Sequence, residues 1–205
     1  MKQNGFEFWF EYGSTYTYLT VARIDSITQT RRIPVHWRPF LLMPIMTEQG
    51  MEKGPFLPYP AKLRYMWRDL ERRAQHHRIS YQKPSVYPPN TLLTARIGCL
   101  GQKEGWCSTF TKEVFRLHWT ENVVIGTEEN IRRSLNSIKK DVEYTIAIAL
   151  AEDNKLALRT QTEKARALGI FGSPTFVVGD EIFWGDDRLE DAVDFLDNRV
   201  DSSTR

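Results

Sequence analysis

The chain has 205 residues, 41% of them hydrophobic and 12% aromatic, enough for one full core and unlike the composition of a disordered segment. Its 28 basic residues against 26 acidic ones leave a net charge of +2, which gives no long-range reason for nucleic acid or an anionic membrane as partner. No stretch approaches the roughly 18 apolar residues of a transmembrane helix, and the first residues lack the basic start and apolar run of a signal peptide, so a cytoplasmic location is expected.

Phe6, Phe8, Phe10 and Tyr12 alternate with Glu7, Trp9 and Glu11, the period of a strand. Gly13 and Ser14 break that pattern, and Tyr18, Leu19, Ala22 and Ile27 then fall at helical spacing. Pro34 to Arg38 reads as a second strand stopped by Pro39, predicting a parallel strand–helix–strand unit with a right-handed crossover. Leu41 to Pro60 reads as loop, punctuated by Gly50, Gly54, Pro55, Pro58 and Pro60. Ala61 to Arg78 predicts an amphipathic helix with Tyr65, Met66, Leu70 and Ala74 inward.

After a second punctuated loop, Lys83 to Pro89, the pattern predicts a long helical region from Asn90 to Trp119, with Gly101 to Gly105 as the place for a kink. Shorter helices are expected over Thr127 to Asn136 and Asp141 to Ala151. Asn154 to Leu168 predicts a further helix, with Leu156, Leu158, Ala165 and Leu168 apolar and Gly169 as its C-cap. Pro174 to Val178, a Gly179–Asp180 turn and Glu181 to Trp184 give a β-hairpin signal. Arg188 to Val200 closes as a helix with Leu189, Val193 and Leu196 inward, ahead of a tail, 201–205, expected to fray. Without its helical middle this order is βαβ followed by αββα. The fold class is therefore α/β: a thioredoxin-like fold of residues 1–42 and 160–205, with an all-helical insertion over 43–159.

Few residues carry chemistry. Ser14 stands where the first strand enters the first helix, a favoured N-cap. The same place suits anion binding, since a helix N-terminus carries about half a positive charge, and a hydroxyl there can donate to a thiolate without being oxidised itself. In "FGSPTF" (171–176), Ser173 and Pro174 read as a turn leading a strand; in a thioredoxin arrangement that loop faces the first helix. Asp186, Asp187 and Arg188 read either as a cap with a solvated ion pair or as a clamp for a zwitterion. Lys62 opens the first inserted helix, where it is either solvated or poised over a carboxylate. His76 and His77 lack companions at ligand spacing, so no metal site is proposed. Cys99 and Cys107, if on one helix, would stand about 12 Å apart along its axis, beyond the roughly 7 Å of a disulfide, and read as partly buried small apolar side chains.

Taken together, "FEYGSTYTYL", "WRPFLL", "YPAKLRYMWRDLERRA", "YPPNTLLTAR" and "FGSPTFVVGDEIFWGDDRLEDA" resemble, over nearly the full chain, the 2-hydroxychromene-2-carboxylate isomerase family and its relatives, the kappa-class glutathione transferases. The resemblance implies glutathione as cofactor. On that reading Ser14 hydrogen-bonds the glutathione sulfur, and Ser173, before a cis Pro174, pairs with the cysteinyl backbone. Asp186, Asp187 and Arg188 fall at the γ-glutamyl end, and Lys62 at the glycyl carboxylate.

The resemblance further implies reversible addition of the thiolate to an unsaturated carbon of an aromatic pyruvate-type substrate. Met43, Tyr65, Trp67 and Tyr87 are candidate walls of the substrate pocket, and a homodimer is expected. A glutathione transferase or peroxidase is the alternative enzyme, and a non-catalytic glutathione-binding protein the alternative of another class. A dithiol oxidoreductase is disfavoured because Ser14 and Thr17 occupy the places of the two cysteines. The chain departs from the family in three places. Thr15 stands where the family carries proline, Asp186 where it often has Asn or Ser, and the loop from Gly50 to Gly54 lacks an asparagine that some relatives have.

Overall fold

The computed structural model describes residues 5–202. Its elements are β1 (Phe6–Phe10), α1 (Thr15–Thr30), β2 (Val35–Pro39), α2 (Leu42–Glu48), α3 (Pro60–His76), α4 (Leu92–Glu104), α5 (Cys107–Glu121), α6 (Glu128–Ser137), α7 (Val142–Leu150), α8 (Glu152–Ala167), β3 (Thr175–Val178), β4 (Glu181–Trp184) and α9 (Leu189–Ser202). A single 3₁₀ turn, Asp186–Arg188, leads into α9. Of the tail expected to fray, Asp201 and Ser202 complete α9, and residues 203–205 lie outside the described residues.

The four strands form one sheet in the order β2-β1-β3-β4. β1 and β2 run parallel, with Phe8 opposite Trp37; β3 is antiparallel to both β1 and β4. This is the thioredoxin arrangement with a helical insertion. β1 is central, and all five of its residues are buried, so its alternation separates two covered faces rather than core from water. On one face Phe6, Phe8 and Phe10 pack with Phe176 and Trp37, and the cluster continues through Tyr12 into Phe110 and Phe115 of the insertion. On the other, Trp9 packs with Phe40, Leu42, Ile45, Ala165 and Ile170. Glu7 shares that face; it accepts from the Trp9 indole at 2.9 Å and pairs with Arg38 and Lys164.

The structure corrects the sequence reading in several places. The loop expected from Leu41 to Pro60 opens with α2, whose Leu42, Ile45 and Met46 lie one helical turn apart and bury against Trp9 and Phe40. Pro44 is tolerated there because first-turn amides have no partner within the helix. The long helix from Asn90 to Trp119 is two helices: Gly105 adopts φ 83°, ends α4, and the Trp106 amide turns back to the Gly101 carbonyl. Cys99 and Cys107 therefore sit on different helices, and the one-helix spacing argument does not apply; both are free, buried thiols. Tyr65, expected inward, is exposed, whereas Met66, Leu70 and Ala74 are buried as expected; of the apolar residues of α8, Leu158 and Ala165 are buried and Leu156 is exposed. The expected boundary at residues 159 and 160 falls inside α8, which runs unbroken.

Candidate active site

The β1–α1 junction is a turn closed by the Ser14 amide donating to the Glu11 carbonyl at 3.2 Å. Ser14 occupies the N-cap position in extended conformation, φ −76° and ψ 121°, yet its side chain makes no capping bond. Instead the Ser14 hydroxyl donates to the Ser173 carbonyl at 2.7 Å. The Ser173–Pro174 peptide bond is cis, as is Tyr87–Pro88. Ser173 is engaged on three sides: its hydroxyl accepts from the Glu11 amide at 2.9 Å and pairs with Thr17 Oγ1 at 2.9 Å. Strand end, helix start and proline loop thus form one hydroxyl-rich cluster. The first turn of the 16-residue α1 carries no acidic residue, so its N-terminal partial charge is not neutralised within its own helix.

The insertion is bolted to this junction. Thr15 Oγ1 donates to the Met66 thioether at 3.4 Å, and the Tyr87 hydroxyl approaches the same sulfur at 3.7 Å. Tyr16 donates to Asp69 at 3.0 Å. Thr15 therefore has an anchor to α3 at the position where the resembling family carries proline. On the other side, Glu11 accepts from the Gly13 amide at 2.8 Å and from the Thr91 hydroxyl, ahead of α4, at 2.6 Å.

The remaining predicted residues divide. Asp186 is 3% exposed and accepts two bonds from Arg73, at 2.6 and 3.1 Å, while Arg23 lies 3.8 Å away. Burial pushes this carboxyl up, and the two guanidinium groups oppose that rise. Asp186 is thus a buried tether between α3 and the 3₁₀ turn, not the free carboxylate that a zwitterion clamp requires. Asp187 and Arg188 pair with each other at 3.0 Å on the surface, and Arg188 also reaches Asp191. Lys62, in the first turn of α3, is exposed and makes no ion pair with a described residue; its ammonium stands 5.4 Å from the Phe56 ring.

Of the four candidate pocket walls, Tyr87 reaches the junction through Met66, and Trp67 packs edge-to-face on Tyr87 at 5.0 Å. Trp67 also lines an open cleft of about 420 Å³ with Arg64, Arg68, Glu71, Tyr81 and Lys83. Met43 and Tyr65 are exposed, and the Arg72 guanidinium stands 5.5 Å from the Tyr65 ring. Burial pushes the Cys99 and Cys107 thiols up to about 11 and about 12, so neither is a reactive thiolate. Among the described residues no group of three His, Cys, Asp or Glu could hold a metal ion, and no helix is long and apolar enough to cross a membrane.

A family model of the DSBA-like thioredoxin domain matches residues 6–197. The chain belongs to that family. Among curated proteins, this DsbA-like chain is 21% identical over 192 residues to a 2-hydroxychromene-2-carboxylate isomerase of Sphingobium xenophagum, covering 94% of this chain and 95% of the relative. It is 26% identical over 206 residues to glutathione S-transferase kappa 2 of Caenorhabditis elegans, covering 93% and 90%. Among solved structures, a 2-hydroxychromene-2-carboxylate isomerase superposes with a TM-score of 0.87 at 22% identity, covering 97% of each chain, which establishes the shared fold.

Sequence reading placed Thr17 beside Ser14 but missed Glu11, Met66, Arg73 and Thr91 as parts of the site's frame. Glu11 lies within three residues of Ser14, and that proximity was a usable signal. Met66 and Thr91 meet the junction, and Arg73 meets Asp186, only through the fold.

Proposed function

We propose that the chain is a glutathione-dependent isomerase of the 2-hydroxychromene-2-carboxylate isomerase type. The observation that carries this reading is the Ser14 hydroxyl, released from capping and aimed at the Ser173 carbonyl beside a cis-proline loop, in a junction without cysteine. The names of the curated relatives support an isomerase or glutathione transferase at low identity.

The donor set suits glutathione at its thiol end. Ser14 offers one rotatable O–H, the α1 N-terminus offers partial positive charge, and the Ser173 backbone borders the same space. Lys62 makes no ion pair with a described residue and is the candidate for a ligand carboxylate. The γ-glutamyl end fits less closely than the sequence implied, because Asp186 is committed to Arg73; Asp187 and Arg188 remain accessible. When bound, glutathione would supply the nucleophilic sulfur, splitting one difficult isomerisation into an addition and an expulsion.

The chain's own part is to hold that sulfur ionised and the substrate oriented. To donate to sulfur, the Ser14 O–H rotates away from the Ser173 carbonyl, exchanging a neutral hydrogen bond for a charge-assisted one. Trp67 and Tyr87, packed edge-to-face within the insertion, would offer an aromatic surface to a small aromatic substrate. A kappa-like transferase would use the same Ser14 on another electrophile. Calorimetric titration of glutathione into wild type and Ser14→Ala, with ultraviolet detection of the bound thiolate, tests the reading. Absence of saturable binding to wild type sinks it, and binding without a lowered thiol pKa leaves a non-catalytic binding protein.

A further inference from the structure

The acidic groups framing the junction are of two kinds. Glu7 faces Arg38 and Lys164, Asp69 faces Arg72, and Asp186 faces Arg73 and Arg23, so each is charge-compensated. Glu11 differs. Among the described residues it makes no ion pair, and its two oxygens are held by neutral donors, the Gly13 amide and the Thr91 hydroxyl. Gly13 permits this geometry, because a Cβ there would lie 2.9 Å from Glu11 Oε2. The carboxylate is thus folded back onto the residue that precedes Ser14.

The titratable groups that face Glu11 are Tyr12, from the junction, and Tyr87, from the loop before α4. Both stay neutral: burial pushes Tyr87 up to about 12 and Tyr12 well above its ordinary range. Behind Tyr12, the Cys99 and Cys107 thiols are likewise neutral. Burial pushes Glu11 itself up, and its hydrogen bonds from Thr91 and Gly13 oppose that rise. Either protonation state satisfies the same contacts. The ionised form accepts from both donors, and the neutral form keeps the Gly13 bond and donates to Thr91 Oγ1.

We infer that the Glu11 carboxylate takes up the proton of a thiol held at Ser14, so that the junction carries one negative charge, on Glu11 or on sulfur. This assignment rests on Ser14 as a thiol site and adds the destination of the proton. The S–H bond breaks, an O–H bond forms on Glu11, and the electron pair stays on sulfur, leaving net charge unchanged. Two anions side by side would repel, whereas a neutral Glu11 leaves the α1 N-terminus and the Ser14 hydroxyl to stabilise the sulfur alone.

Glu11→Gln is the informative variant, since its amide can accept from Gly13 and donate to Thr91 while being unable to titrate. Infrared difference spectra and calorimetry in two buffers of different ionisation enthalpy would be recorded with glutathione and with S-methylglutathione, at a pH where free Glu11 is ionised. Wild type should gain a protonated-carboxyl band on binding glutathione but not S-methylglutathione, and should release well under one proton per thiolate. Glu11→Gln should lack the band and release close to one proton per thiolate. Equal proton release in the two proteins, or a Glu11 that never ionises in the free protein, overturns the assignment of Glu11 alone. Failure of wild type to bind glutathione overturns the reading of Ser14 and the assignment with it.

Discussion

The Ser14 hydroxyl donates to the Ser173 carbonyl at 2.7 Å, joining residues 159 positions apart. Ser14→Ala removes the one side-chain donor that can reach a bound sulfur from the N-cap. Thiolate absorbance of bound glutathione should fall and its apparent thiol pKa rise, with turnover down on the order of 10²–10³-fold, as for loss of one oxyanion donor. An unchanged thiol pKa in the variant would show that the α1 N-terminus acts alone.

Asp186 is the more structural acid. Asp186→Ala leaves Arg73 and Arg23 facing a gap and should cost about 3 kcal/mol, the lower end for breaking a buried pair because Arg73 is partly exposed. Urea unfolding of Asp186→Ala, Arg73→Met and the double variant gives the coupling, expected above about 1 kcal/mol. Additive effects would mean that the contact does not tether α3 to the 3₁₀ turn.

Gly98 lies under the Tyr12 hydroxyl, which itself pairs with Thr111 at 2.8 Å. A methyl at Gly98 would overlap that oxygen. Gly98→Ala should therefore destabilise by about 1–3 kcal/mol despite alanine's better helix propensity. Tyr12→Phe removes the clashing oxygen, so the double variant should lie within about 1 kcal/mol of Tyr12→Phe alone. Thermal unfolding of the three variants decides it.

His118 is 3% exposed and accepts the Ile125 amide at Nδ1, 3.3 Å away. Burial lowers its pKa to about 4. The unfolded chain, near 6.5, binds more protons between these values, so stability is full above about pH 6.5 and is lost as pH falls toward 4. The loss should be about 3 kcal/mol, and His118→Asn should flatten that limb of the stability–pH curve. An identical curve for the variant would assign acid sensitivity elsewhere.

Thioredoxin-like order was legible because each local signal agreed with the fold. The Phe6 to Tyr12 alternation, the hairpin after Pro174 and the inward Leu189, Val193 and Leu196 all survive in the structure. α2 was hidden because proline and glycine breakers dominate the stretch that follows it, and only Trp9 and Phe40 supply the surface that its three apolar residues bury. Tyr65 misled the periodic reading because an exposed aromatic beside Arg72 falls near the apolar stripe of α3.

By itself the sequence determined the fold class, the cysteine-free junction and Ser14 as its candidate centre, since these follow from residue type and spacing along one stretch of chain. The tertiary structure decided what each polar group faces. It spent Asp186 on Arg73, freed the Ser14 hydroxyl from capping, anchored Thr15 on Met66 and set Glu11 between the Gly13 amide and the Thr91 hydroxyl. Except for Gly13, two residues from Glu11 in the chain, the partners in those contacts come from distant segments. Their meeting depends on how the insertion packs on the sheet, which no local pattern encodes.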